Sequence, residues 1–116
     1  MDTVTMILQD PPYGTEKVWN ALRVAQALTA VESRVNLFLL GDAVGMAKKG
    51  QDVPKGYYNL GEMLQHLIAK GAEVRACGTC CKARGLTTED LGHGMTIGVM
   101  ADLARWIKDS DQVLTF

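Results

Sequence analysis

Three cysteines, Cys77, Cys80 and Cys81, fall inside the stretch VRACGTCCKARG that begins at Val74, and the 116-residue chain has no others. A cysteine reacts as thiolate, so its neighbours decide what it can do. If Cys77 closes a strand and Gly78 and Thr79 lead into a turn of helix, its sulfur faces free main-chain N–H groups. Those groups favour the thiolate, and Lys82 and Arg84 add positive charge nearby. That is the setting of a nucleophile. The same position also suits a small apolar residue ending a buried strand, so position alone leaves both readings open.

Other chemistries fit the cluster less well. A structural zinc site takes four ligands, commonly as separated cysteine pairs or cysteine with histidine. Beyond the three thiols there are only His66, mid-helix, and His93, in the glycine-rich LGHGM, which could turn toward the site. No metal and no cofactor is expected. Cys77-Gly-Thr-Cys80 has the C-x-x-C spacing of a redox pair, but thioredoxin-like proteins set a cis-proline loop against the pair. Pro11, Pro12 and Pro54 all stand elsewhere. On a short helix the Cys81 side chain points away from that of Cys80, so Cys81 can serve the core.

The elements must bring these residues to one place. TVTMIL (3–8) and RVNLFLL (34–40) read as buried strands, the second nearly continuously apolar, as strands of parallel sheets are. Val18, Ala21, Leu22, Ala25 and Leu28 recur at helical spacing between Thr15 and Ala30. A short helix is expected over 42–48, then an irregular segment over 48–59 holding Tyr57 and Tyr58. Asn59 with Glu62 opens a helix that stops at Gly71. AEVRAC (72–77) is a third strand and TTEDLG (87–92) a turn. MTI (95–97) is a short strand. Met100, Leu103, Ala104 and Ile107 mark a last helix, and QVLTF (112–116) a last strand. Trp19 and Trp106 lie on helices, where core packing is expected.

Alternating strands and helices imply one α/β domain over 1–116, a mainly parallel five-stranded sheet in a three-layer sandwich with helices on both faces. Such sheets carry their sites at the carboxyl ends of the strands. That rim would hold Gln9, Asp10 and Tyr13 after the first strand, Gly41 and Asp42 after the second, and Cys77, Gly78 and Thr79 after the third.

Composition limits the partners. Twelve basic residues balance thirteen acidic ones for a net charge of -1, so no nucleic-acid contact is expected. No G-x-G-x-x-G or Walker motif occurs. No apolar run approaches the ~18 residues of a membrane span. Asp2 stands where a signal peptide carries positive charge, which points to the cytoplasm, where clustered thiols stay reduced.

The chain resembles the DsrE/DsrF-like proteins, the group that includes sulfur-relay subunits of tRNA thiolation and of dissimilatory sulfur oxidation. The resemblance is carried by FLLGDAV (38–44), VPKGYYNLGEML (53–64), VRACGTCCKARGL (74–86) and MADLARWIKDSDQVLTF (100–116). It implies a small α/β fold assembled into trimeric or hexameric homo-oligomers. It also implies a cysteine at the end of the third strand that holds sulfane sulfur as a persulfide, exchanged with donor and acceptor proteins. Cys77 falls on that position, just before the segment ending in Arg84-Gly85. Cys80 and Cys81 match no required residue of the sulfur-carrying subunits.

Overall fold

The computed structural model describes residues 1–116. Its strands are β1 (Thr3–Leu8), β2 (Arg34–Leu39), β3 (Glu73–Cys77), β4 (Met95–Gly98) and β5 (Gln112–Thr115). They form one sheet in the order β4-β3-β2-β1-β5 with every pair parallel. The helices are α1 (Lys17–Ala30), α2 (Leu60–Ala69), α3 (Gly78–Ala83) and α4 (Met100–Asp109), with short 3-10 helices at Gly41–Ala47 and Thr88–Asp90. The three-layer α/β architecture expected from the sequence is what the chain adopts. No helix is long and apolar enough to cross a membrane.

The topology explains the unequal layers. Right-handed crossovers from β1 to β2, β3 and β4 step in one direction, so α1, α2 and α3 lie on one face. The last crossover steps back past β1 to β5, and α4 alone covers the other face. Side chains alternate across a strand. Met6, Leu8, Leu37, Leu39 and Ala76 are fully buried toward the many-helix side. The opposite parity places Thr5, Asn36, Phe38 and Arg75 toward α4.

The element starts follow local chemistry. The Asn59 side chain accepts the Glu62 N–H at 3.0 Å and so caps α2. Gly71, at φ 102, ends that helix in a conformation glycine adopts without strain. Helix α1 begins at Lys17, whose N–H reaches Thr15 Oγ1 at 3.3 Å.

Helix α4 departs from expectation. The spacing of Met100, Leu103, Ala104 and Ile107 predicts its inward face, but Met100 is 56% exposed, Ile107 is 43% exposed and only Leu103 is buried. The inward face is instead Asp102, Leu103 and Trp106. The cause is the sheet beneath it, which offers polar groups there. Arg75 pairs with Asp102 at 3.3 Å and lies over the Trp106 ring, whose edge meets Phe38 at 5.9 Å. Ser110 donates to the Trp106 carbonyl and hydrogen-bonds Thr5.

Candidate functional site

Strand β3 ends at Cys77 because the chain turns directly into α3. Cys77 is the residue before the helix, with φ -56 and ψ 122, and its Sγ accepts the Cys80 N–H at 3.4 Å. Gly78 lies close under Ile97 and the Gly98 carbonyl, where a Cβ would stand 3.0 Å from the Ile97 methyl. The close approach of β4 therefore favours glycine at this position. The three thiols then diverge around the short helix. Cys81 turns inward and is 1% exposed within the core cluster. Cys77 is 4% exposed, and Cys80 is half-buried at the rim.

Cys80 meets the end of β2. Its Sγ accepts the Gly41 N–H at 3.1 Å. Gly41 has φ 55, a left-handed conformation that turns the chain out of β2 and aims this amide at the sulfur. Arg84 fastens the two segments together. Its Nε and Nη2 both donate to Asp42 Oδ1, at 3.1 and 2.7 Å, and its Nη1 donates to the Cys80 carbonyl at 3.0 Å. A fixed amide therefore meets the Cys80 sulfur, and a fixed guanidinium holds the carbonyl of the same residue.

The electrostatics separate the thiols. Burial pushes the Cys77 thiol above its ordinary range, and its hydrogen bond with the Cys80 side chain adds to that, against the opposing pull of the Cys80 and Thr79 N–H groups. Burial also raises Cys81, with the neighbouring sulfurs acting in the same direction. Of the two readings the sequence leaves open for Cys77, the structure gives a buried strand end rather than an open thiol. The first-turn N–H groups do reach the sulfur, but burial outweighs them.

The sequence-predicted rim divides into two groups. Gly41, Asp42, Cys77, Gly78, Cys80 and Arg84 come together. The Gln9 carbonyl lies near Gly41, and the Gln9 N–H is taken by the Phe116 carbonyl. Thr79 and Lys82 are exposed on α3. Asp10 turns toward the start of α1, bonding Thr15 and pairing with Lys17 at 3.8 Å. Tyr13 joins the 48–59 segment: it hydrogen-bonds Gln51, accepts the Leu60 N–H and stacks on Tyr58.

That segment is pinned by Gln51. Gln51 Nε2 donates to the Met46 and Lys48 carbonyls, and its Oε1 accepts from Gly61 and Tyr13. A cavity of about 210 Å³ beside it, lined in part by Lys49, Gln51, Glu62, Gln65 and His93, contains no cysteine. His93 precedes β4, at the amino end of the sheet, so it does not turn toward the cluster. No three histidine, cysteine or carboxylate groups are placed to hold a metal.

Sequence reasoning did not single out Gln51, whose importance lies in contacts distant along the chain. Nor did it find the surface stack of Tyr13, Tyr58 and Trp19, with Arg23 4.8 Å over the Trp19 ring. The adjacent Tyr57-Tyr58 pair was the available signal for the stack, but only Tyr58 enters it, while Tyr57 is 72% exposed.

Comparison with known proteins extends over the whole chain. The family model described as the DsrE/DsrF-like family matches residues 2–116. An uncharacterized protein of Methanopyrus kandleri is 42% identical over 116 residues, all of this chain and 95% of its own. Protein YchN of Escherichia coli is 40% identical over 118 residues, with both chains fully covered. The crystal structure of E. coli ychN superposes with a TM-score of 0.95 at 39% identity over the full length of both chains. A protein of unknown function from Methanobacterium thermoautotrophicum, at 14% identity and a TM-score of 0.82, shares the fold.

Proposed function

The chain belongs to the DsrE/DsrF-like family, and from that premise we propose that it is a sulfur-relay protein. It holds sulfane sulfur as a persulfide in the Cys77–Cys80 cluster, seated on Cys77, and passes it to an acceptor thiol. The observation that supports this reading best is the pair of sulfurs at the carboxyl rim. Each accepts a main-chain N–H, and Arg84 is fixed beside the more open one.

The chemistry is thiol exchange. A cluster thiolate attacks the outer sulfur of a donor persulfide, R–S–SH. A new sulfur–sulfur bond forms, the sulfur–sulfur bond of the donor breaks, and R–S⁻ leaves. An acceptor thiolate reverses the step and restores the cluster thiol. No external oxidant enters, because the sulfane sulfur changes carriers without a net change in oxidation state. What such a site needs is a thiol that can ionise, a positive potential and restricted water access, and no cofactor. A reducing compartment such as the cytoplasm keeps such thiols free. The partners are donor and acceptor proteins and further copies of this chain, in a trimer or hexamer.

Incubation of the reduced protein with inorganic polysulfide tests the reading by intact mass. A gain of about 32 Da, one sulfur atom carried on a nucleophilic thiol, is expected. It should be reversed by dithiothreitol and absent when all three cysteines are serine. Absence of uptake at every cysteine, in a protein with a defined oligomeric state, favours a non-catalytic binding module instead. The C-x-x-C spacing of Cys77 and Cys80, with the Cys80 N–H on the Cys77 sulfur at 3.4 Å, supports a further alternative, a dithiol redox protein. That reading requires a Cys77–Cys80 disulfide that opens and closes in mild redox buffers.

A further inference from the structure

We infer that Cys80 is the port through which sulfur enters and that Cys77 is the seat that receives it by one transfer inside the chain. The inference rests on the sulfur-carrier reading above and adds an order and a direction to it.

The two sulfurs have unlike surroundings. Cys80 is half-buried at the rim, so a donor can reach it from solvent. Its Sγ faces the Gly41 N–H at 3.1 Å, a donor that stabilises negative charge on sulfur without having to move. The Arg84 fork to Asp42 and its bond to the Cys80 carbonyl hold α3 against the Gly41–Ala47 helix, so the sulfur and the amide stay together. Cys77 lies beneath, 4% exposed, with the first turn of α3 across it. A donor bound to another protein has no approach to that sulfur. Cys80 does, because it begins one turn further along α3 and its own N–H already meets the Cys77 sulfur at 3.4 Å.

The steps balance. Cys80 thiolate attacks the outer sulfur of R–S–SH. The product is Cys80–S–SH, and R–S⁻ departs. The added sulfur stands about 2 Å beyond Cys80 Sγ, the length of a sulfur–sulfur bond. The Cys77 sulfur then attacks that outer atom. The bond to Cys80 breaks, Cys77–S–SH forms, and the proton lost by Cys77 is taken up by the departing Cys80 thiolate. The port is again a thiol, and the persulfide is sheltered from solvent reductants. Attack on the inner sulfur would instead close a Cys77–Cys80 disulfide and expel HS⁻.

The test is a time course with glutathione persulfide on full-length protein, quenched by alkylation. Arg75 and Lys82 bracket the cluster, so trypsin releases Ala76–Lys82 with all three cysteines, and fragmentation locates the added sulfur. The expected record is label on Cys80 first and on Cys77 later. Cys80→Ser and Cys80→Ala should both take up sulfur on the order of tenfold more slowly, as expected when the accessible thiolate is removed. Cys77→Ala should still take up sulfur and retain its label on Cys80. Circular dichroism of each variant excludes misfolding. First label on Cys77, or wild-type loading in both Cys80 variants, overturns the inference while leaving the carrier reading intact. Loss of two hydrogens with release of sulfide also overturns it, in favour of the dithiol. No sulfur on any wild-type cysteine overturns the carrier reading itself, and the inference with it.

Discussion

The Gly41 amide on the Cys80 sulfur and the guanidinium of Arg84 beside it make two separable demands on single residues. Arg84→Ala keeps the amide but removes the cation and unties α3 from Asp42. The pair is at the surface and screened, so it adds little to stability. The melting temperature should barely move, while iodoacetamide modification of Cys80 at pH 7 slows several-fold, as mass spectrometry will show. Arg84→Lys restores charge but not the two-pronged grip on Asp42, and should recover only part of the rate. The buried thiols give a second prediction. Cys77 and Cys81 hold their protons more tightly folded than unfolded. Their contribution to stability is complete below about pH 8.5, where an unfolded thiol begins to ionise. It declines as pH rises toward their raised folded values. Urea midpoints should fall as pH rises above about 8.5, and Cys81→Ala should show a shallower fall than wild type. At this scale the sequence displayed the cluster and its place at a strand end. It did not display which sulfur stays open, because that depends on rotation around α3 and on an amide 39 positions away.

Helix α4 shows where periodicity misleads and why. A helix was legible over 98–108, yet its inward face was assigned to the apolar residues when the sheet beneath presents Thr5, Asn36 and Arg75. Hydrophobic spacing finds the core side of a helix only when the surface it meets is apolar. Arg75 made Asp102 and Trp106 the inward residues. The packing there is close: a Cβ on Gly98 would lie 2.9 Å from the Phe38 ring and 3.2 Å from Arg75 Cβ. Gly98→Ala should therefore destabilise the fold by about 1–3 kcal/mol, the usual cost of overpacking, as read from denaturant unfolding. A smaller ring neighbour, in Gly98→Ala with Phe38→Leu, should recover part of it. The cap of α2, by contrast, was legible from Asn59 and Glu62 alone, because a cap is a local bond. Asn59→Ala removes the acceptor for Glu62 and the donor to the Gln51 carbonyl. It should cost ~1 kcal/mol.

For the molecule as a whole, the single-helix side leaves Val99, Met100, Ile107 and Val113 exposed. Burial of that side against further copies of the chain is the natural route to the trimer or hexamer proposed above. Sedimentation should give a mass several times 12.6 kDa, and Met100→Glu with Ile107→Glu should shift it toward the single chain. A monomeric wild type would remove the assembly proposal. The class of fold was readable from alternating apolar strands and amphipathic helices. The strand order was not, since the return of the last crossover to the far side of β1 leaves no local mark. That return has a practical side. All five strands run parallel, so Phe116 finishes on the cysteine rim, its N–H on the Ile7 carbonyl and its own carbonyl taken by Gln9. Met1 emerges at the opposite pole, 87% exposed. A tether at Met1 would present the thiols freely to a donor. Cargo fused after Phe116 would instead arrive three strand spacings, roughly 14 Å, from the strand that ends in Cys77.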